Sequence, residues 1–178
     1  MDYKGKEEDR QFILSSGIEL DQYLNSGTLM WRLSGLRIPL SPGNLLFALK
    51  RFPVDTDPKI SEISSGISQL IAGRRQAWWR KIEQEIPMRV NQWKATVEEL
   101  QENGSFDRTF SYAVRARVVA ALLIDQLDTN VTRYTRSLEI FDELLKNLTK
   151  QGEFLWESDL LQVFPQAQFP YLYLTGVK

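Results

Sequence analysis

From Ile60 onward the apolar residues recur at helical spacing. Ile60, Ile63, Ile67, Leu70/Ile71, Trp78, Ile82, Ile86, Val90, Trp93, Val97 and Leu100 follow one another almost entirely in steps of three or four. That repeat stacks side chains on one face of an α-helix. Asp57 supplies a capping carboxylate, Pro58 suits a first turn, and Asn103-Gly104 supplies a stop. Pro87 alone interrupts. It removes one backbone hydrogen bond and crowds the preceding turn, at about 3 kcal/mol, which predicts a kink or a break there.

A second stripe runs through Phe110, Val114, Val118, Ala121, Ile124, Leu127, Val131, Tyr134, Leu138, Phe141, Leu145 and Leu148, with Asp107 as its cap and Gly152 as its stop. Asp128-Thr129-Asn130 has low helix propensity and reads as a hinge. Residues 58–102 and 107–150 therefore predict two helical arms joined by a short turn, and turns that short join antiparallel neighbours. At 1.5 Å per residue each arm is ~65 Å long, too long for the pair to bury both stripes unaided.

The rest of the chain supplies the cover. Residues 7–26 predict an amphipathic helix whose apolar face is Phe12/Ile13, Leu20, Tyr23 and Leu24, ending at Gly27. Ser41-Pro42 is a helix start and places Leu45, Leu46 and Leu49 on a short helix. Pro53 to Pro58 is the linker-like segment. Beyond Gly152 the aromatics Phe154, Trp156, Phe164, Phe169, Tyr171 and Tyr173 are too dense for a disordered tail, so the tail docks on the helices. The expected fold is all-α and built as a single domain over 1–178. A wrapping segment (1–53), a long antiparallel hairpin kinked near Pro87 and an aromatic tail (153–178) make it up, and no sheet is expected.

Composition narrows the chemistry more than the fold. The 178 residues carry 22 basic and 23 acidic side chains, for a net charge of −1, so no global field selects a partner. Cysteine and histidine are absent. Their absence removes disulfides, thiolate nucleophiles, Cys/His zinc sites, His- or Cys-held haem and every Ser–His or Cys–His pair, and no cofactor is expected. The charged start lacks the apolar core of an export signal, and the longest apolar run, Val118 to Ile124, is far short of the ~20 residues that span a bilayer. The expected location is cytoplasmic, and the Asn-x-Thr triplets at Asn130 and Asn147 read as chance.

Three constellations remain. Glu99-x-x-Glu102 followed by Asp125-x-x-Asp128 resembles the ExxE…ExxD arrangement of the all-α nucleotide pyrophosphohydrolases of the MazG type, although an Asp opens the second motif. The resemblance implies Mg²⁺ held by four carboxylates. A turn near Gly104 instead leaves the two pairs ~30 Å apart, where they read as solvated helix charges. Residues 74–94 combine six basic side chains with three tryptophans. In an antiparallel register turning at residue 104, Arg74 and Arg75 face the region of Arg133 and Arg136. With Trp79 these form a candidate site for phosphate or an acidic partner, since guanidinium binds oxyanions bidentately and indole stacks on bases or cations. The plainer reading of the same arginines is as partners of nearby Asp and Glu, with Asp125 and Asp128 set opposite Arg80 and Lys81. The Trp31–Phe52 segment, with Arg32, Arg37, Lys50 and Arg51 among apolar residues, reads either as membrane-interfacial or as cover for the helices with its arginines left wet.

The functional expectation is a non-catalytic protein-interaction or scaffold subunit that binds a protein partner or itself. Nucleotide or nucleic-acid binding through the Arg/Trp arm is the alternative, and a carboxylate-based Mg²⁺ hydrolase the third reading. Membrane association is not expected.

Overall fold

The computed structural model describes residues 5–104, 108–127 and 132–177. Its order is α1 (Lys6–Asn25), α2 (Pro42–Arg51), a 3-10 turn (Val54–Thr56), α3 (Pro58–Gly73), α4 (Arg75–Asn103), α5 (Arg108–Ala113), α6 (Arg115–Ile124), α7 (Thr132–Leu148), β1 (Thr149–Gln151), two further 3-10 turns, and β2 (Leu174–Val177). The class is all-α. The residues gather into two compact units, Met1–Glu85 and Ile86–Lys178.

The start signals at Ser41 and Asp57 and the stop at Gly104 act as the sequence predicts, whereas the last helix ends at Leu148, ahead of the expected stop at Gly152. Ser41 caps α2, its hydroxyl accepting from the Asn44 N–H at 3.3 Å, with Pro42 in the first turn. The Asp57 carboxylate caps α3 by accepting from the Lys59 and Ile60 N–H groups at 3.0 and 3.2 Å. Gly104 closes α4 in the left-handed region (φ 61°), its N–H donating to the Leu100 carbonyl at 2.9 Å. The expected cap at Asp107 and hinge at Asp128-Thr129-Asn130 lie outside the described residues.

The predicted arms are subdivided. The first is two helices, parted at Arg74 rather than at Pro87, through which α4 continues unbroken. Proline sits in the helix interior directly after two enclosed residues: Glu85 and Ile86 are both 0% exposed. Glu83, the residue whose carbonyl loses its partner, faces solvent. The second arm is also not one rod. The Asp142 carboxylate of α7 accepts from Arg117 of α6 at 2.7–3.0 Å and from the Trp93 indole of α4 at 2.9 Å, so α7 folds back along α6. A straight hairpin turning at 104 would set Asp142 opposite residue 66, and that register does not hold. The absence of sheet is likewise corrected. β1 and β2 form a two-stranded antiparallel ribbon that pairs Lys150 with Thr175 and Gln151 with Leu174. It supplies the hydrogen bonds that an irregular docked tail lacks.

In the first unit α1 and α3 run parallel. The Arg10 guanidinium meets Asp57 at 2.7 Å at one end, and Arg74 meets Asp21 at 2.8 Å at the other. Between them Gly17 lets the helices close up, since a Cβ there would lie 2.6 Å from Ile63 Cγ2. The predicted α1 face of Phe12, Ile13, Leu20, Tyr23 and Leu24 is buried throughout. In the second unit the tail docks through Phe164, Phe169, Tyr171 and Leu172, all buried. Its rings meet edge to face, Trp156 on Phe164 at 5.1 Å and Phe164 on Phe169 at 5.2 Å, a favoured aromatic geometry.

Candidate functional site

Two ionisable groups enclosed in the first unit, Lys81 and Glu85, converge on one loop, residues 26–43. Lys81 and Glu85 stand one turn apart on α4, on the edge of the buried Trp78–Ile82–Ile86 stripe, and are 4% and 0% exposed. The Lys81 ammonium donates to the Ser26 and Thr28 carbonyls at 2.8 and 2.6 Å and lies 4.5 Å from the Tyr23 ring centroid. Burial, with Arg80 adding to it, lowers its pKa from the ordinary lysine range. Glu85 accepts from the Ser41 hydroxyl at 2.9 Å and from the Gly43 N–H at 2.8 Å. One charge thus ties down the loop where it leaves α1, and the other where it enters α2.

Between these anchors the loop closes on itself. Trp31 and Leu40 exchange both backbone hydrogen bonds, at 2.9 and 2.7 Å, and Gly35 makes the turn at φ 74°. Leu33 and Leu40 point inward, 3% and 0% exposed. Arg32 and Arg37 are exposed, and among the described residues neither makes an ion pair. The Trp31 indole donates to Glu19 at 2.6 Å. The segment therefore covers the helices and leaves these arginines wet, whereas Arg51, also expected at the surface, pairs with the buried Asp9.

The sequence candidates distribute as follows. Arg74 is committed to α1, donating to Asp21 and Asn25, each at 2.8 Å. Arg75 lies over the half-buried Trp79, 4.5 Å from the ring centroid. These three belong to the first unit. Arg133 and Arg136 belong to the second and are exposed, Arg133 lying 5.3 Å from the Tyr134 ring centroid. Lys81 is held by carbonyls, not by Asp125, which is exposed. Glu99 and Glu102 are exposed, Asp128 lies outside the described residues, and among those described no group of three or more Asp, Glu, His or Cys is placed to hold a metal ion.

In the second unit the Trp93–Asp142–Arg117 triad is capped by Tyr171, whose ring lies 4.4 Å from the Arg117 guanidinium. Burial raises the Tyr171 pKa well above the usual tyrosine range, so its hydroxyl stays protonated. These groups bind the tail to α4, α6 and α7. Their work is structural.

No known family, curated protein or solved structure matches this chain. Lys81 and Glu85 are the residues that reading the sequence missed. Their signal was present: at three and seven residues past Trp78 they fall on the face that the apolar stripe marks as buried.

Proposed function

We propose that the protein is a non-catalytic protein-interaction or scaffold subunit, working in the cytoplasm with a protein partner or a second copy of itself. What carries this reading is the use of the buried and half-buried ionisable groups. Lys81, Glu85, Asp9, Arg117 and Asp142 are each bonded to backbone or to a side chain of their own unit. Such groups position a framework, and a catalytic acid or base needs an open face toward substrate. Large apolar side chains meanwhile stand in solvent: Ile18 is 82% exposed, Tyr112 76% and Ile140 58%. No helix among the described residues is long and apolar enough to cross a membrane.

Polyanion binding through Arg74, Arg75 and Trp79 of the first unit is the second reading, favoured by the Arg75–Trp79 stack. The Arg74–Asp21 pair weighs against it. The test is isolation of the full chain under mild conditions from its native host, followed by sedimentation. The expected result is a stoichiometric protein partner or a defined oligomer. A strictly monomeric chain with no stoichiometric partner overturns the proposal.

A further inference from the structure

Resting on that reading, we infer that the loop Trp31–Leu40 is a preorganised recognition loop for an acidic, aliphatic-bearing segment of a partner protein. An ordinary surface loop needs no buried charge to hold it. This one has two, Lys81 at its exit from α1 and Glu85 at its entry to α2, with Asn44 Nδ2 donating to the Pro39 carbonyl at 2.9 Å as a third tie. Binding residues commonly sit on loops that a rigid framework holds in place, because the ordering cost is met before the partner arrives.

What the framework presents is unneutralised positive charge beside apolar surface. Arg32 and Arg37 flank the half-exposed Leu36, and the half-exposed Ile38 and Trp31 adjoin them. Of the neighbouring acids on α1, Asp21 is paired with Arg74, and Glu19 is turned to the Trp31 indole while keeping its charge. Ile18 directly precedes Glu19 and is 82% exposed. Arginine and tryptophan are the residues enriched at protein–protein contact centres. Carboxylates on the partner complement the two guanidiniums in the bidentate geometry that arginine favours. Two arginines without an extended basic track fit a nucleic acid poorly. Leu36 and Ile38, only half exposed, do not project far enough to enter a bilayer, where such segments bury ~5–10 Å deep.

The experiment pans a display library of random peptides on the full chain and on Arg32→Gln/Arg37→Gln, with Lys59→Gln/Lys94→Gln, at exposed lysines outside the loop, as control. Phosphatidylserine vesicles and duplex DNA are run in parallel. The expected peptides carry Asp or Glu among aliphatic residues. Their affinity falls about tenfold or more in the loop variant, falls with added salt, and is unchanged in the control. Neutral or basic peptides, undiminished binding to the loop variant, or no enrichment overturn the inference. So does capture of vesicles or DNA that depends on Arg32 and Arg37. Peptides that crosslink beside Tyr112 or Ile140 remove the loop while leaving the interaction reading intact. Failure of both this panning and the partner isolation removes both.

Discussion

Glu85, with no exposed surface, accepts a hydrogen bond from the Ser41 hydroxyl at 2.9 Å and draws the N-terminus of α2 onto α4. Its second oxygen takes the Gly43 N–H, so each carboxylate oxygen has a donor. Glu85→Ala leaves two buried donors without an acceptor and should cost about 3 kcal/mol in urea denaturation. Glu85→Gln keeps one acceptor and should cost less. Lys81→Met should also cost less, about 1 kcal/mol, because desolvation already opposes the buried ammonium.

Gly17→Ala tests the closeness of α1 and α3. A Cβ at 2.6 Å from Ile63 Cγ2 meets a branch methyl that cannot swing aside. Overpacking of this kind costs about 1–3 kcal/mol and outweighs the gain of roughly 0.5–1 kcal/mol that alanine brings to a helix interior. Thermal denaturation should show a lower Tm for the single variant. Recovery in Gly17→Ala/Ile63→Leu, where the β-branch is gone, is the second expected outcome.

Asp142→Ala removes the acceptor shared by Trp93 and Arg117. Arg117 is 14% exposed and would keep its charge without its carboxylate. The expected loss is about 3 kcal/mol. The same variant should speed hydrogen exchange in the tail, because the Tyr171 ring stacks on the guanidinium that Asp142 holds. Unchanged exchange at residues 169–174 would contradict this coupling.

Acid should weaken the α1–α3 clamp. The hydrogen bond from Arg10 holds the Asp57 pKa below the usual carboxylate range, with the Ile60 and Lys59 N–H groups assisting. A carboxylate with a lowered folded pKa contributes stability that is fully present above its unfolded pKa of about 4 and is lost as pH falls through the lower folded value. Asp57→Asn retains the helix cap and removes the charge. Its Tm should lie below that of the parent at neutral pH, and the two should converge as pH falls through the lowered folded-state value.

Arg74→Gln/Arg75→Gln separates the two functional readings. The Arg74–Asp21 pair is solvent-exposed, and such pairs contribute ~1 kcal/mol or less. The variant should lose about that much, and neither it nor the parent should gain Tm on addition of polyphosphate at low salt. A parental Tm that rises with polyphosphate and falls back with salt, lost in the variant, would favour the polyanion reading.

The sequence by itself determined the helices and most of what they bury. Its three-to-four spacing marked Ile60, Ile67, Trp78, Ile82, Ile86, Val90, Trp93, Val97 and Leu100, all of which are enclosed. Its caps at Ser41 and Asp57 and its stop at Gly104 are local chemistry, legible because capping depends on residues within one turn. Tertiary structure decided what local patterns do not encode. The fold-back of α7 onto α6 depends on Asp142 meeting Arg117 and Trp93, 25 and 49 positions away in sequence. Pro87 stays inside α4 despite one lost backbone bond, directly after the enclosed Glu85 and Ile86. The anchored loop is the clearest case. Lys81 and Glu85 read as ordinary helix charges until the chain brings Ser26, Thr28, Ser41 and Gly43 to them. Only then do two buried charges become the supports of a surface.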